Sequence, residues 1–208
     1  CFVDALATDE DSKISPQSIY AVTKYTQEQM ILSICKSINI SCVSLRYQNV
    51  FGPGQSLSNP YTGILSIFST RMLNSKDINI FEDGHESRDF IFVDDVVDAS
   101  FTAIFKDITN EIINIGSGQR IPVIEVARML KDSLSSQSNI EINGNFRLGD
   151  IRHNFANISK AQKLLDFKPT YTFKNGLKKF SDWVKSQPIQ EDLYDKSIKE
   201  LKSKGLYK

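Results

Sequence analysis

Residues 40–47 read ISCVSLRY. A run this short, apolar and rich in β-branched side chains has the character of a strand buried in a parallel sheet, and Gly52-Pro53-Gly54 ends whatever continues from it. Upstream, Ser15-Pro16 reads as a helix start, with proline in the first turn where its missing N–H does no harm, and the helix runs to about Ser37. The residues before Ser15 are polar and irregular. Downstream, Gly63 to Asn74 looks helical. Ile78 to Phe81 and Arg88 to Val93 read as two strands of an antiparallel hairpin around an Asp83-Gly84 turn, with Asp94 placed to cap a helix to about Lys106. Ile112 to Ile115 is a further strand before a Gly116-Ser117-Gly118 turn. Ile124 to Leu134 has helical spacing, Ile140 to Ile142 is a short strand, and Ser159 to Leu165 is a short helix stopped near Pro169. Phe173 to Val184 is the last clear helix, and Gln187 to Lys208, charged and weakly amphipathic, is balanced between a docked helix and a free tail. Strands alternating with helices make this an α/β chain.

The 208 residues are 40% hydrophobic, enough for one substantial core with room for a small second lobe. Lys and Arg total 25, as do Asp and Glu, so the broad positive field that nucleic-acid binding needs is absent and a small-molecule partner is expected. Cys1, Cys35 and Cys42 fit no CxxC spacing, and His85 and His153 stand alone. Neither a disulfide framework nor a metal site is indicated, and a reducing, cytoplasmic compartment is the expectation. Apolar runs such as 30–34 and 90–93 are far too short to cross a bilayer and no charged-then-apolar leader opens the chain, so no membrane is expected as a partner.

Tyr20 and Lys24 are four residues apart, which on a helix puts a phenol and an ammonium on one face, one turn apart. A phenol titrates at about 10 when unperturbed, and a neighbouring cation favours the phenolate, so such a tyrosine can accept a proton near neutral pH. With 7 tyrosines and many lysines in the chain, chance explains the spacing alone equally well. Its company sets it apart. SPQSIYAVTK at 15–24 is followed by LRYQNVFGPGQ at 45–55, IFEDGHESRDFIFVDDVV at 80–97, NIGSG at 114–118, and RLGDIRH at 147–153 with ISKA at 158–161.

In this order the five blocks resemble the NAD-dependent nucleotide-sugar epimerase/dehydratase family, part of the extended short-chain dehydrogenases, over about residues 15 to 185. The resemblance implies the C-terminal part of a Rossmann-type doubly wound parallel sheet plus a smaller α+β substrate-binding domain. Residues 1–60 would be a remnant of the dinucleotide-binding domain, 61–185 mainly the substrate-binding domain with some elements returning to the sheet, and 186–208 a charged tail or helix. It also implies NAD as cofactor, a nucleoside-diphosphate sugar as substrate and, because related enzymes commonly pair through the helix of the Tyr-Lys motif, a homodimer when full length.

Carried over residue by residue, Tyr20 matches the catalytic base and Lys24 the residue that holds the nicotinamide ribose. Tyr47 and Gln48 fall where the family's chain passes the nicotinamide, and Asn49 where it meets the substrate diphosphate. Arg88 and Arg147 match diphosphate-binding arginines, a role suited to a permanently charged planar fork. Ile80 and Phe81 match the strand against which the nucleobase lies, Asp150 an acid near the nucleotide ribose, and Thr62 a further substrate contact in a segment of variable length. Asp94 and Asp95 read as cap and structural charge. Gly116-Ser117-Gly118 is a turn and not a phosphate loop, since Ile121 stands where the next glycine is required.

The family's Gly-x-x-Gly-x-x-Gly does not precede Tyr20, which has 19 residues before it, so on the order of 100 residues of cofactor domain are unaccounted for. The chain therefore reads as a fragment that is inactive alone, with NAD bound mainly by the missing part and with apolar faces and strand edges left open. The chemistry implied is 4-epimerisation by transient oxidation at C4. The stretches 46–64 and 191–206 look most like the branch that epimerises dTDP-L-rhamnose. A 4,6-dehydratase, a keto-sugar reductase and a non-catalytic sugar-nucleotide-binding module remain as alternatives. Thr8-Asp9-Glu10 lies too close to Tyr20 to supply a dehydratase's acid pair.

Overall fold

The structure, a computed structural model, describes residues 6–59, 63–146 and 150–207. The first helix, α1, spans Ile19–Ser37, and the chain then forms β1 (Val43–Tyr47) and, one residue on, β2 (Asn49–Phe51). There follow α2 (Ile64–Leu73), β3 (Ile78–Ile80), β4 (Ser87–Arg88), β5 (Phe90–Phe92), α3 (Val93–Phe105), β6 (Glu111–Ile115) and β7 (Ile121–Pro122). The remainder is α4 (Val123–Leu134), β8 (Ile140–Ile142), β9 (His153–Asn154), α5 (Ser159–Leu165), α6 (Phe173–Lys185) and α7 (Tyr194–Ser203). β1 pairs with β6 and β2 with β5, both parallel, so the strand changes partner at Gln48, whose N–H bonds the Ile115 carbonyl at 2.9 Å. β3 pairs parallel with β8, while β4 lies between an antiparallel β7 and a parallel β9.

Three local expectations are corrected. α1 starts at Ile19 rather than at Ser15-Pro16, because the Ser18 hydroxyl is the one that accepts the Ala21 N–H, at 3.2 Å. The Asp83-Gly84 turn forms but closes no hairpin: the strands on either side of it pair with β8 and with β7 and β9, not with each other. The turn is drawn inward instead, with the Ile124 N–H on the Gly84 carbonyl at 3.1 Å and the glycine packed so that a Cβ would lie 3.2 Å from Ile124 Cβ. Asp94 does not cap α3, since β5 runs directly into the helix at Val93 and puts Asp94 inside the first turn. Asp95 beside it is a structural charge, 2% exposed, whose carboxylate accepts the Thr170 and Tyr171 N–H groups at 2.8 and 3.2 Å.

Two apolar clusters organise the interior. One joins α2, α4 and α6 around Phe51, whose ring centroid lies 5.4 Å from that of Phe173, 5.6 Å from Phe92, 6.3 Å from Phe90 and 6.5 Å from Phe180. α6 comes so close that a Cβ on Gly176 would sit 2.8 Å from Phe92 and 2.9 Å from Phe51, so a glycine is required there. The second cluster packs α3 and α5 on β5 and β6 through Ile91, Val96, Ile113, Ile115 and Leu165. α1 contributes no buried residue, and Ile19, Met30, Ile31 and Ile34 on it are exposed, as are Phe101, Ile104 and Phe105 on α3. The C-terminal segment is docked: Arg71 of α2 reaches Asp192 at 3.2 Å and Asp195 at 2.9 Å and lies 4.5 Å from the Tyr194 ring centroid. Among the described residues no helix is long and apolar enough to cross a membrane.

Candidate functional site

A cleft of about 410 Å³ opens between the start of α1, the start of α2 and the β3–β4 connection, a size suited to a small-molecule ligand. Tyr20, Asn49, Ile80, Phe81, Arg88 and Asp150, six of the residues singled out in the sequence, line it together. Lys24 stands one turn along from Tyr20, its ammonium 5.7 Å from the phenol ring centroid. Both side chains are exposed, Tyr20 at 71%.

Arg88 is positioned by two neighbouring carbonyls and a carboxylate. Its Nη1 donates to the Ser87 and Arg152 carbonyls at 2.9 and 3.0 Å, and its Nη2 to Asp150 Oδ1 at 3.1 Å. A guanidinium has five N–H donors; among the described residues these bonds use three, leaving Nε and one Nη2 proton to meet an anion. Ser87 beneath it is fully buried, accepts from Arg120 Nε at 3.0 Å and shares a hydrogen bond with His153 Nδ1 at 2.8 Å. Burial holds the His153 imidazole below its ordinary value, with Arg120, Arg152 and Arg88 acting in the same direction. Asn49 is pinned by its side-chain amide to the Asp89 carbonyl at 3.1 Å.

Asp89 is a hub the sequence reading missed. Fully buried, it accepts the Ser117 N–H at 2.7 Å, the Ser117 hydroxyl at 2.6 Å, the Gly118 N–H at 3.0 Å and the Ala156 N–H at 3.2 Å. The Gly116-Ser117-Gly118 turn wraps this carboxylate so tightly that a Cβ on Gly116 would fall 2.5 Å from Oδ2. Glu86 and Tyr194 also line the cleft and were not anticipated. Glu86 had a signal, its place two residues before Arg88, the spacing that strand alternation would turn to one side, whereas nothing local to Tyr194 pointed here.

The cleft does not gather every residue expected at the site. Tyr47 lies in a separate hollow of about 600 Å³ between β1 and α3, its hydroxyl 2.9 Å from Ser100 Oγ. That hollow is larger, but among the expected site residues it holds Tyr47 alone, so the chemistry concentrates in the smaller cleft. Gln48 is part-buried on the strand between the two, with its Oε1 sealed from solvent and without a partner among the described residues. Thr62 and Arg147 lie outside the described residues. Carboxylate oxygens of Glu82, Asp83 and Glu86 come within 4.8 Å of one another, but Arg152 bridges Glu82 and Asp83 and holds Asp83 below the usual carboxylate range, which makes this a salt-bridge cluster and not an open cation site.

Comparison with known proteins gives this geometry its context. The sequence profile described as the NAD dependent epimerase/dehydratase family matches residues 3–116. A dTDP-L-rhamnose 4-epimerase from Burkholderia thailandensis is 35% identical over 170 residues, 81% of this chain and 47% of that protein. The UDP-glucose 4-epimerase of Thermotoga maritima, solved with UDP-glucose, superposes with a TM-score of 0.80 at 31% identity over 88% of this chain and 59% of that one. The UDP-glucuronic acid 4-epimerase of Bacillus cereus, solved with UDP-glucuronic acid and NAD, gives 0.79 at 31% identity over 88% and 57%. The chain spans about half the length of the curated relatives it matches. Its α/β fold with parallel strand pairing is that of the Rossmann-type epimerases, and the chain belongs to the NAD dependent epimerase/dehydratase family.

Proposed function

We propose that this chain supplies the substrate-binding part, and the Tyr-Lys pair, of a nucleotide-sugar 4-epimerase. The observation that carries the reading is the single cleft lined by both Tyr20 and Arg88. A guanidinium with two spare donors is suited to a diphosphate, and an exposed phenol on the same cleft is suited to a sugar hydroxyl. Asn49, beside Arg88, adds an amide at the diphosphate, Asp150 faces the ribose, and Ile80 and Phe81 form the apolar wall for the base. Binding energy from the nucleotide half holds the sugar while its reacting end turns.

The residues present fit the nicotinamide end of NAD. Gln48 Oε1 is a sealed acceptor without a partner among the described residues, and Tyr20 and Lys24 offer exposed donors side by side, a set matched to a carboxamide and a ribose diol. When bound, that cofactor accepts and returns a hydride at C4. This chain's own contribution is to hold the substrate through Arg88 and to take the hydroxyl proton at Tyr20 Oη. By this reading residues 1–60 complete a dinucleotide-binding domain, 61–185 form most of the substrate-binding domain, and 186–208 are its docked terminal helix. Two copies pair through the exposed apolar side of α1.

The test is product analysis with the intact protein. UDP- and dTDP-sugars incubated with catalytic NAD should interconvert between C4 epimers with no net NADH. Net loss of water to a 4-keto-6-deoxy sugar, stoichiometric NADPH consumption, or nucleotide-sugar binding without turnover would each replace the epimerase reading.

A further inference from the structure

Glu86 lines the cleft, is 8% exposed, and has an Oε2 sealed from solvent with no hydrogen-bond partner among the described residues. Side chains alternate on extended backbone, and here Glu86 and Arg88 both face the cleft while Ser87 between them is turned to His153 and Arg120. The nearby cations are engaged elsewhere. Arg152 sits on Glu82 and Asp83, and Arg88 on Asp150 and two carbonyls. A carboxyl placed this way is costly to the fold unless something else completes it. Burial raises its pKa above the ordinary carboxylate value; its own backbone N–H and Arg88 oppose that, and Glu82 and Asp83 add to it.

We propose that Glu86 recognises the nucleoside of the bound nucleotide, its carboxyl pairing with an N–H or O–H of the nucleoside whose diphosphate is held at Arg88. Two residues of extended backbone advance about 7 Å, the scale on which ribose and base follow a 5′-diphosphate. This rests on the nucleotide-sugar reading of the cleft. Ionised, the carboxyl accepts from the ligand; neutral, it donates to a ligand carbonyl and accepts beside it, and a glutamine can do the same.

Calorimetric titration of wild type, Glu86→Gln and Glu86→Leu with UDP, dTDP, N3-methyl-UDP and inorganic pyrophosphate tests this, with melting temperatures measured alongside. Glu86→Leu should weaken UDP about tenfold, leave pyrophosphate unchanged and raise the melting temperature, while Glu86→Gln should stay within about threefold of wild type. If dTDP, which lacks the 2′-hydroxyl, already binds at the Leu variant's level, the contact is to ribose; if N3-methyl-UDP does, it is to the ring N–H. Unchanged UDP affinity in both variants, or equal weakening of UDP and pyrophosphate, overturns the proposal. Should Glu86→Leu not fold, Glu86→Ala takes its place under the same criteria. Wild type that binds neither UDP nor pyrophosphate overturns the cleft reading itself and this assignment with it.

Discussion

The layer of α2, α4 and α6 and the helix α1 carry opposite ends of one cleft, and different forces hold them. The layer is built on the aromatic cluster around Phe51, closed by Gly176 and by the ion pairs of Arg71 to the C-terminal segment. α1 buries no side chain. It is tied to β1 by Glu28, which takes Arg46 Nε and Nη2 at 2.8 Å each and Ser44 Oγ at 3.3 Å, and Arg46 Nη1 goes on to the Glu10 carbonyl at 3.2 Å. The Arg88 end of the cleft therefore stands on apolar burial, and the Tyr20 end on a charged clamp that acid can release.

The largest expected effect probes that division by chemistry. In the intact protein Tyr20→Phe should lower turnover by about 10²–10⁴-fold, the usual range for a lost general base, with nucleotide affinity unchanged; steady-state kinetics beside UDP calorimetry would show it. A matching loss of affinity would mean the two ends are not separable. Phe51→Ala should cost about 3–5 kcal/mol and lower the melting temperature of the whole fold, because the cavity opens where four rings converge. Arg88→Ala should weaken UDP by roughly 10–100-fold, the loss of charge-assisted bonds worth about 1.5–3 kcal/mol, without disturbing Tyr20.

Glu28→Gln should be smaller and local, on the order of 1.5 kcal/mol, raising amide exchange in α1 while α4 and α6 stay protected. Acid should do the same. The Arg46 hydrogen bonds hold the Glu28 carboxyl below its ordinary value of 4.5, so its stabilisation is complete above that pH and is lost as pH falls through the lowered value. Exchange read along a titration should show α1 opening below about pH 4.5 before the Phe51 layer does. Simultaneous opening would erase the distinction between the two regions.

Much of this was legible in the sequence because it is local. The period and composition of residues 43–47, 123–134 and 159–165 placed strand and helices to within a few residues, and six residues that the family resemblance named, from four of the quoted blocks, line one cleft. The tertiary partners were not legible. β3 pairs with β8, some 60 residues on, and that choice, invisible in the Asp83-Gly84 turn, is why no hairpin forms. The charge of residues 187–208 did not reveal docking, because the complement of Asp192 is Arg71, far upstream in α2. Neither Asp89 nor Glu86 was singled out in the sequence; only burial distinguishes the carboxyl that four donors satisfy from the one with an oxygen left over.

The most direct test is a crystal structure of the intact protein with NAD and a UDP- or dTDP-sugar. The diphosphate should lie within hydrogen-bond distance of Arg88 Nε or Nη2, and the sugar O4 within reach of Tyr20 Oη in the same cleft. A diphosphate bound away from Arg88, or a sugar whose O4 points away from Tyr20, would contradict this.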